Sequence, residues 1–272
     1  SCDYSCHDNG DYSLSFDGVD DYVYIGDELD MPGSFSISSW VFINENIYSS
    51  ILSNRNSGDG NGYQLMYEND EDGGGDDGIV FLMNAGSGNI KVITPAIFNK
   101  WVHVTGVFES GESLSIYLDG EFKNSTETDI IAHGNNETSV IIGENCEGCG
   151  WWLDGSIGDL SIWDIALSQE QIQNNIFDET EEDLVANWRF NSGTGNILYD
   201  HSGNQNHGTI YGAEWKLYAD MNDDGLLNIL DIITVANIAV GTFPYDENAD
   251  LNGDGQVNIL DVIFIVNLVL NS

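Results

Sequence analysis

One twelve-residue stretch occurs twice in this chain, with oxygen-bearing side chains at the same places. Asp220-Met-Asn-Asp-Asp-Gly-Leu-Leu-Asn-Ile-Leu-Asp231 returns 30 residues later as Asp250-Leu-Asn-Gly-Asp-Gly-Gln-Val-Asn-Ile-Leu-Asp261. Each copy sets side-chain oxygens at positions 1, 3, 5, 9 and 12 and glycine at position 6, the ligand spacing of a calcium loop. Ca²⁺ takes six to eight hard oxygens; alternate side chains on a tight turn supply them, and the glycine allows the turn. The spacing nominates Asp220, Asn222, Asp224, the Leu226 carbonyl and Asp231 in the first loop. In the second it nominates Asp250, Asn252, Asp254, the Gln256 carbonyl and Asp261. Asn228 and Asn258, at position 9, reach the ion through water. The plainer alternative is a pair of Asx-rich turns that merely cap two helices, and two copies in register argue against it.

An apolar helix follows each loop. Ile232, Ile233, Val235 and Ile238 in one, and Val262, Ile263, Ile265 and Leu268 in the other, are expected to close on each other as a small core. So few residues bury little surface, so metal binding and folding of this unit should be coupled.

From Tyr12 to about Trp215 the pattern changes to short period-2 runs, such as Ser13–Phe16, Tyr22–Ile25, Ser34–Ile43, Trp101–Val104 and Leu114–Leu118. Alternating β-branched and aromatic residues are a strand signal. Asp119-Gly120, between Leu118 and Phe122, is a tight hairpin turn. With 3 Pro, 31 Gly and no alternating helices, the pattern predicts a mainly β fold, an antiparallel two-sheet jelly-roll sandwich, followed by a small α module of two calcium-loop–helix units. One short surface helix is expected where Ser168 caps, Gln171 closes the capping box, and Ile172, Ile176 and Phe177 share a face. The expected division is an N-terminal Cys-containing segment, 1–11; the sandwich, 12–215; and the calcium module, 216–272.

The chain carries 46 Asp+Glu against 6 Lys+Arg, a formal charge of −40. Such a chain repels itself unless cations or salt screen it. It lacks the basic patch that nucleic acid requires, and no apolar run reaches the length of a membrane span. Ser1 reads as the start of a mature, processed chain. Four cysteines form two local pairs, Cys2/Cys6 and Cys146/Cys149. An extracellular setting, which the acidity and calcium loops indicate, favours disulfides over a four-thiolate zinc site. Pairing within or across the two clusters is open. His103 alternates with Val102 and Val104, and the five histidines show no metal spacing.

Several motifs in order resemble the laminin G-like, concanavalin A-like lectin/glucanase jelly roll. They are Leu14-Ser-Phe-Asp-Gly-Val-Asp-Asp-Tyr-Val23, Phe98–Phe108, Ser113–Gly120, Gly155–Leu167, and the closing Trp188–Asn196, Asp200–Asn204 and His207–Ile210. The C-terminal repeats resemble type I dockerin modules. Between Ala219–Val240 and Ala249–Leu270, 11 of 22 aligned positions are identical, and neither unit has the entering helix of a full EF-hand. Position 12 is Asp where the EF-hand has a bidentate Glu, which matches the dockerin pattern. The resemblance implies two calcium ions in the module. It also implies a structural calcium near the sheet edge of the jelly roll, for which Asp159 is the matching residue and Asp17 a weaker one. A protein partner is implied too, either a cohesin-like domain or a neighbouring copy of the chain.

The glucanase branch places an acid and a nucleophile on one strand as Glu-x-Asp-x-(x)-Glu. No such strand is present; Glu68–Asp72 and Asp178–Asp183 read as solvated loops without the apolar setting that raises a general acid's pKa. The chain therefore reads as non-catalytic. Aromatic rings stack on sugar faces, and Trp151-Trp152 beside Cys149 is the candidate ligand platform; Tyr48, Tyr63 and Tyr67 are further rings placed near loops. Trp40, Trp101, Trp163 and Trp188 are expected in the core. The leading expectation is a secreted, calcium-binding, lectin-like binding or adhesion protein, with carbohydrate as ligand, whose tail mediates calcium-dependent assembly. The second is a self-assembling subunit of an extracellular filament or surface layer. The near absence of a linker between Trp215 and Asp220 favours the second. Ile229-Leu230 and Ile259-Leu260 read equally as a docking face or as the module's own core.

Overall fold

The computed structural model describes residues 12–26, 29–44, 47–55, 61–69, 77–85, 89–132, 138–146, 148–173, 182–252 and 254–271. Among them are sixteen strands: β1 (Tyr12–Asp17), β2 (Tyr22–Gly26), β3 (Phe35–Ile43), β4 (Ser49–Arg55), β5 (Asn61–Glu68), β6 (Gly78–Ala85), β7 (Asn89–Thr94), β8 (Trp101–Glu109), β9 (Ser113–Leu118), β10 (Glu121–Glu127), β11 (Val140–Ile142), β12 (Asp154–Trp163), β13 (Leu184–Trp188), β14 (Ile197–Leu198), β15 (Gly208–Tyr211) and β16 (Glu214–Leu217). The first sheet runs β10-β9-β8-β3-β12-β1-β16, with β13 also on β12; the second runs β14-β15-β2-β11-β4-β5-β6-β7. Every pairing is antiparallel. The expected two-sheet sandwich is the observed one.

Alternation decides which side chains lie between the sheets. Leu14, Ile37, Val41, Leu65, Phe81, Val104, Ile157 and Trp188 are all buried there in one cluster. The sheets meet closely at Gly106, where a Cβ would fall 2.6 Å from the Phe81 ring, so only glycine leaves room for that aromatic. Asp119 and Gly120 adopt φ of 51° and 74°, the left-handed pair of a two-residue hairpin, and join β9 to β10 as the sequence predicts.

The long strand β12 serves two neighbours. Its first half pairs with β1 and its second with β13, and its register against β3 shifts between Gly158 and Leu160. Asp159 is the extra residue at that shift, with φ of 47°. The short helix α1 (Gln169–Gln173) follows; Ser168 and Gln171 exchange hydrogen bonds at its start and Ile172 is buried against the sheet. Ile176 and Phe177 lie outside the described residues.

β16 extends to Leu217, past the boundary expected at 215, and passes straight into the first loop. The helices α2 (Ile229–Ala239) and α3 (Ile259–Asn271) each follow one loop, with a short 3₁₀ turn, Glu247–Ala249, before the second. Their shared core consists of Val235, Ile238 and Ile265 with Ala219, Ala249 and Leu251, and it is separate from the sandwich core. Ile232, Val262 and Leu268 pack against it as expected. Ile233 and Ile263 do not: both are about half exposed, on a different face of the helix from the residues that close the core.

Candidate functional site

The two repeated loops fold to the same hydrogen-bond pattern. Asp220 Oδ1 and Oδ2 accept from the backbone N–H groups of Asp224 (3.2 Å) and Gly225 (2.7 Å), and Asp250 repeats this with Asp254 (3.1 Å) and Gly255 (2.7 Å). Gly225 and Gly255 have φ of 79° and 86°, the turn that needs glycine at position 6. Asn222 Oδ1 accepts from Asp224 N, and Asn252 Oδ1 from Asp254 N. The Asp224 and Asp254 carboxylates accept from the N–H groups of Leu226 and Gln256. The carbonyls of Leu226 and Gln256 in turn accept from the side-chain amides of Asn228 and Asn258.

Position 12 is the most buried part of each loop. Asp231 and Asp261 are fully inaccessible. Asp231 accepts from Met221 N (3.0 Å) and Asn228 N (2.8 Å), the latter closing a capping box with Asn228 at the start of α2. Asp261 accepts from Asn252 N (3.1 Å) and Asn258 N (2.7 Å). A carboxylate has about four lone-pair sites, so each retains acceptor capacity after these bonds. Among the described residues of the module, Lys216 Nζ pairs with Asp223 Oδ1 at 3.1 Å, an exposed ion pair that uses a position-4 residue. A buried carboxylate without a cation is costly. Three carboxylates, an amide oxygen and a carbonyl per loop are hard donors that suit Ca²⁺. The residues present fit the ion.

Asp159 is placed differently. Its Oδ1 is buried without a hydrogen-bond partner, though the residue as a whole is partly accessible. Burial pushes its carboxyl up to about 7, against the opposing pull of Arg189. No second carboxylate joins it among the described residues. The one group of three acidic side chains there with mutually close oxygens is Asp17, Asp20 and Asp21, within 4.8 Å of one another. Asp21 is buried and accepts from Asp17 N at 2.9 Å; burial, with the charges of Asp17 and Asp20 adding to it, raises its carboxyl. Asp20 and Asp21 sit inside the Leu14–Val23 motif, so the signal was in the sequence.

Trp151 is 43% exposed and takes φ of 60°. Its ring packs on Tyr48 at 4.4 Å between centroids, and Trp152 beside it is half buried. The Tyr48 hydroxyl donates to Glu68, which pairs with Lys91 at 2.9 Å; burial, then the Glu68 charge, pushes the phenol up to about 12. Tyr63 and Tyr67 are buried in the core and do not reach this surface. Cys146 and Cys149 are joined as a disulfide just before Trp151; Cys2 and Cys6 lie outside the described residues. His103 is a satisfied buried residue, 2.7 Å from Ser38 Oγ through Nε2.

Trp163 and Trp188 are core residues as expected, and Trp40 is buried on the outer face of the first sheet beside His103. Trp101 departs from the expectation. It is half buried outside the core, on that outer face, with its ring against Phe42 at 5.8 Å. Alternation in Trp101–Val104 carried the signal, since Val102 and Val104 take the core side.

Residues 17–173 match the family described as the concanavalin A-like lectin/glucanases superfamily, in its laminin G form. That is more than half of the chain, and the chain belongs to this family. It is 29% identical over 109 residues to the C-reactive protein of Mesocricetus auratus, covering 37% of this chain and 44% of that one. Its fold is similar to a candidate carbohydrate binding protein from Bacteroides ovatus, with a TM-score of 0.62, 19% identity, and coverage of 76% of this chain and 59% of the other. The chain thus spans less than two thirds of either relative. Among the described residues no helix is long and apolar enough to cross a membrane.

Proposed function

We propose that this chain is a secreted, calcium-binding, non-catalytic lectin-like protein, whose C-terminal module resembles a dockerin and joins it to a protein partner. The observation that carries the reading is the pair of loops with one hydrogen-bond pattern, each centred on a fully buried carboxylate. The sandwich supplies the binding module, with carbohydrate as its ligand class; the family and the resemblance to a candidate carbohydrate binding protein support that class. The local disulfide supports an oxidising compartment outside the cell. Asp17, Asp20 and Asp21, or Asp159, are the candidates for a further calcium in the jelly roll.

One observation favours assembly through the module. Ile229 and Leu230 are 65% and 50% exposed, and their repeats Ile259 and Leu260 are 65% and 52% exposed. Neither pair belongs to the module's own core. Two equivalent apolar pairs fit a cohesin-like partner or a neighbouring copy; in the second case the chain is the repeating subunit of an extracellular filament. Calcium titration by calorimetry should find two ions in the module, and no uptake would sink the reading. Leu230→Glu with Leu260→Glu should leave the helices folded in calcium yet abolish assembly by light scattering. Assembly unaffected by both the charges and EDTA would remove the module from that role.

A further inference from the structure

The outer face of the first sheet is not bare at its β16 end. A cleft of about 780 Å³ lies between it and the calcium loops. The floor is set by register. Ser15, Ser156, Phe42 and Trp101 are successive cross-strand partners over β1, β12, β3 and β8, so their side chains stand in one row on one face. Lys216 and Ser13 form the next row along. Gly158 lies beside the Trp101 ring and Ser13, where a Cβ would make ordinary contacts at 3.9 and 4.0 Å. Two hydroxyls are therefore followed by two aromatic rings along one row, on a surface outside the core.

The opposite wall comes from the module. Asp220 and Asp250, the first residues of the two loops, line it together with Tyr245, which is 68% exposed. Asp223 and Asp246 line it as well, against Lys100 and Lys216. With Asp220 and Asp250 taken up by calcium, Asp223 and Asp246 stand against two lysines, and Lys216 is paired with Asp223.

We propose that this cleft binds a neutral oligosaccharide and that calcium sets its shape. Sugar C–H faces suit the Phe42 and Trp101 rings, sugar hydroxyls suit the serines and carboxylates, and walls whose remaining carboxylates and lysines balance offer no net positive charge to hold uronates or sulfated glycans. Because position 1 of both loops forms the wall, loops that fold only with calcium yield a formed cleft only with calcium. The inference rests on the reading of the chain as a calcium-loaded, carbohydrate-binding protein, and assigns the site to a place other than the Trp151 platform.

The test uses the full chain in calcium, with neutral hexasaccharides of xylose, glucose, mannose and arabinose and a hexagalacturonate as probes, read by calorimetry. One neutral probe should bind, and Trp101→Ala and the exposed Tyr245→Ala should each weaken it at least tenfold, while Trp151→Ala leaves it unchanged. EDTA should abolish it. Circular dichroism checks that the variants fold, and Tyr245→Ala carries the test where Trp101→Ala does not. Affinity lost only with Trp151→Ala overturns the cleft but leaves the sugar-binding reading standing. Tighter binding of hexagalacturonate, or affinity indifferent to EDTA and to Tyr245→Ala, also overturns the cleft. If no probe binds the calcium-loaded chain, both the cleft and the reading fall.

Discussion

Between the two sheets the largest wholly buried side chains are aromatic, with Trp188, Tyr63, Tyr67, Phe16, Phe35, Phe81 and Phe108 among them. In the C-terminal unit the buried apolar set holds no aromatic at all, only Ala219, Val235, Ile238, Ala249, Leu251 and Ile265. What is fully buried there besides is a pair of carboxylates, Asp231 and Asp261. The sandwich is held by apolar area, which scales with the surface removed from water. The small unit buries less apolar surface and sets two carboxylates inside it, each accepting from backbone N–H groups. One region is stable by what it excludes; the other, on the proposed reading, is stable by what it binds.

Removing calcium should break this comparison most sharply. EDTA is expected to unfold α2 and α3 while leaving the sandwich intact, because an ion held at a thousand times its Kd contributes about 4 kcal/mol per site. In a calorimetric scan the low transition should vanish and the high one stay in place, with the helical circular-dichroism signal lost at 25 °C. Helices that survive EDTA unchanged would show that the six-residue core suffices and that the loops are merely capped turns.

The same contrast explains what was legible in the sequence. The turns of the two loops were readable, because glycine at position 6 and the Asx side chains at positions 1, 3 and 5 leave their spacing in the chain. The strands were readable from alternation, and Asp119-Gly120 and Ser168 from turn and cap chemistry. What alternation does not state is which of the two faces is covered. Ile233 and Ile263 were assigned to the module core by hydropathy alone, yet the buried stripe of a helix in so small a unit is too narrow to include them. Trp101 was assigned inward because tryptophan usually is; its neighbours Val102 and Val104 claim the inner face, and period 2 then forces Trp101 out. Asp159 sits at a register shift, which breaks the period that sequence reading relies on.

Acid should sharpen the comparison from the other side, through a buried histidine of the sandwich. Burial lowers His103 to about 4, so it stays neutral in the folded protein while the unfolded chain takes up a proton near the ordinary value of 6.5. The unfolded state therefore binds more protons between these values. The His103 contribution is complete above pH 6.5 and is lost as pH falls towards 4, up to about 3 kcal/mol in all. The high transition should move down over that window, and His103→Gln, which keeps a hydrogen-bonding group for Ser38, should flatten the slope. A slope that persists in the variant would assign the acid sensitivity elsewhere.

Asp159 should give the smallest effect and the opposite sign. Its folded carboxyl is raised by burial to about 7, so its proton is held in the folded state and the stability this brings is present below about 4 and lost as pH rises through 7. Asparagine has the same shape without the charge and tolerates the left-handed backbone at this position. Asp159→Asn should then raise the high transition at pH 8 and leave it nearly unchanged at pH 4, by an amount on the order of 1 kcal/mol once solvent access to the rest of the side chain is allowed for. A structural calcium at this residue predicts the reverse: the carboxylate would be the favoured form, and removing its charge would lower the transition in calcium and not in EDTA. The sign of the shift at pH 8 therefore decides whether the sandwich takes part of its stability from an ion.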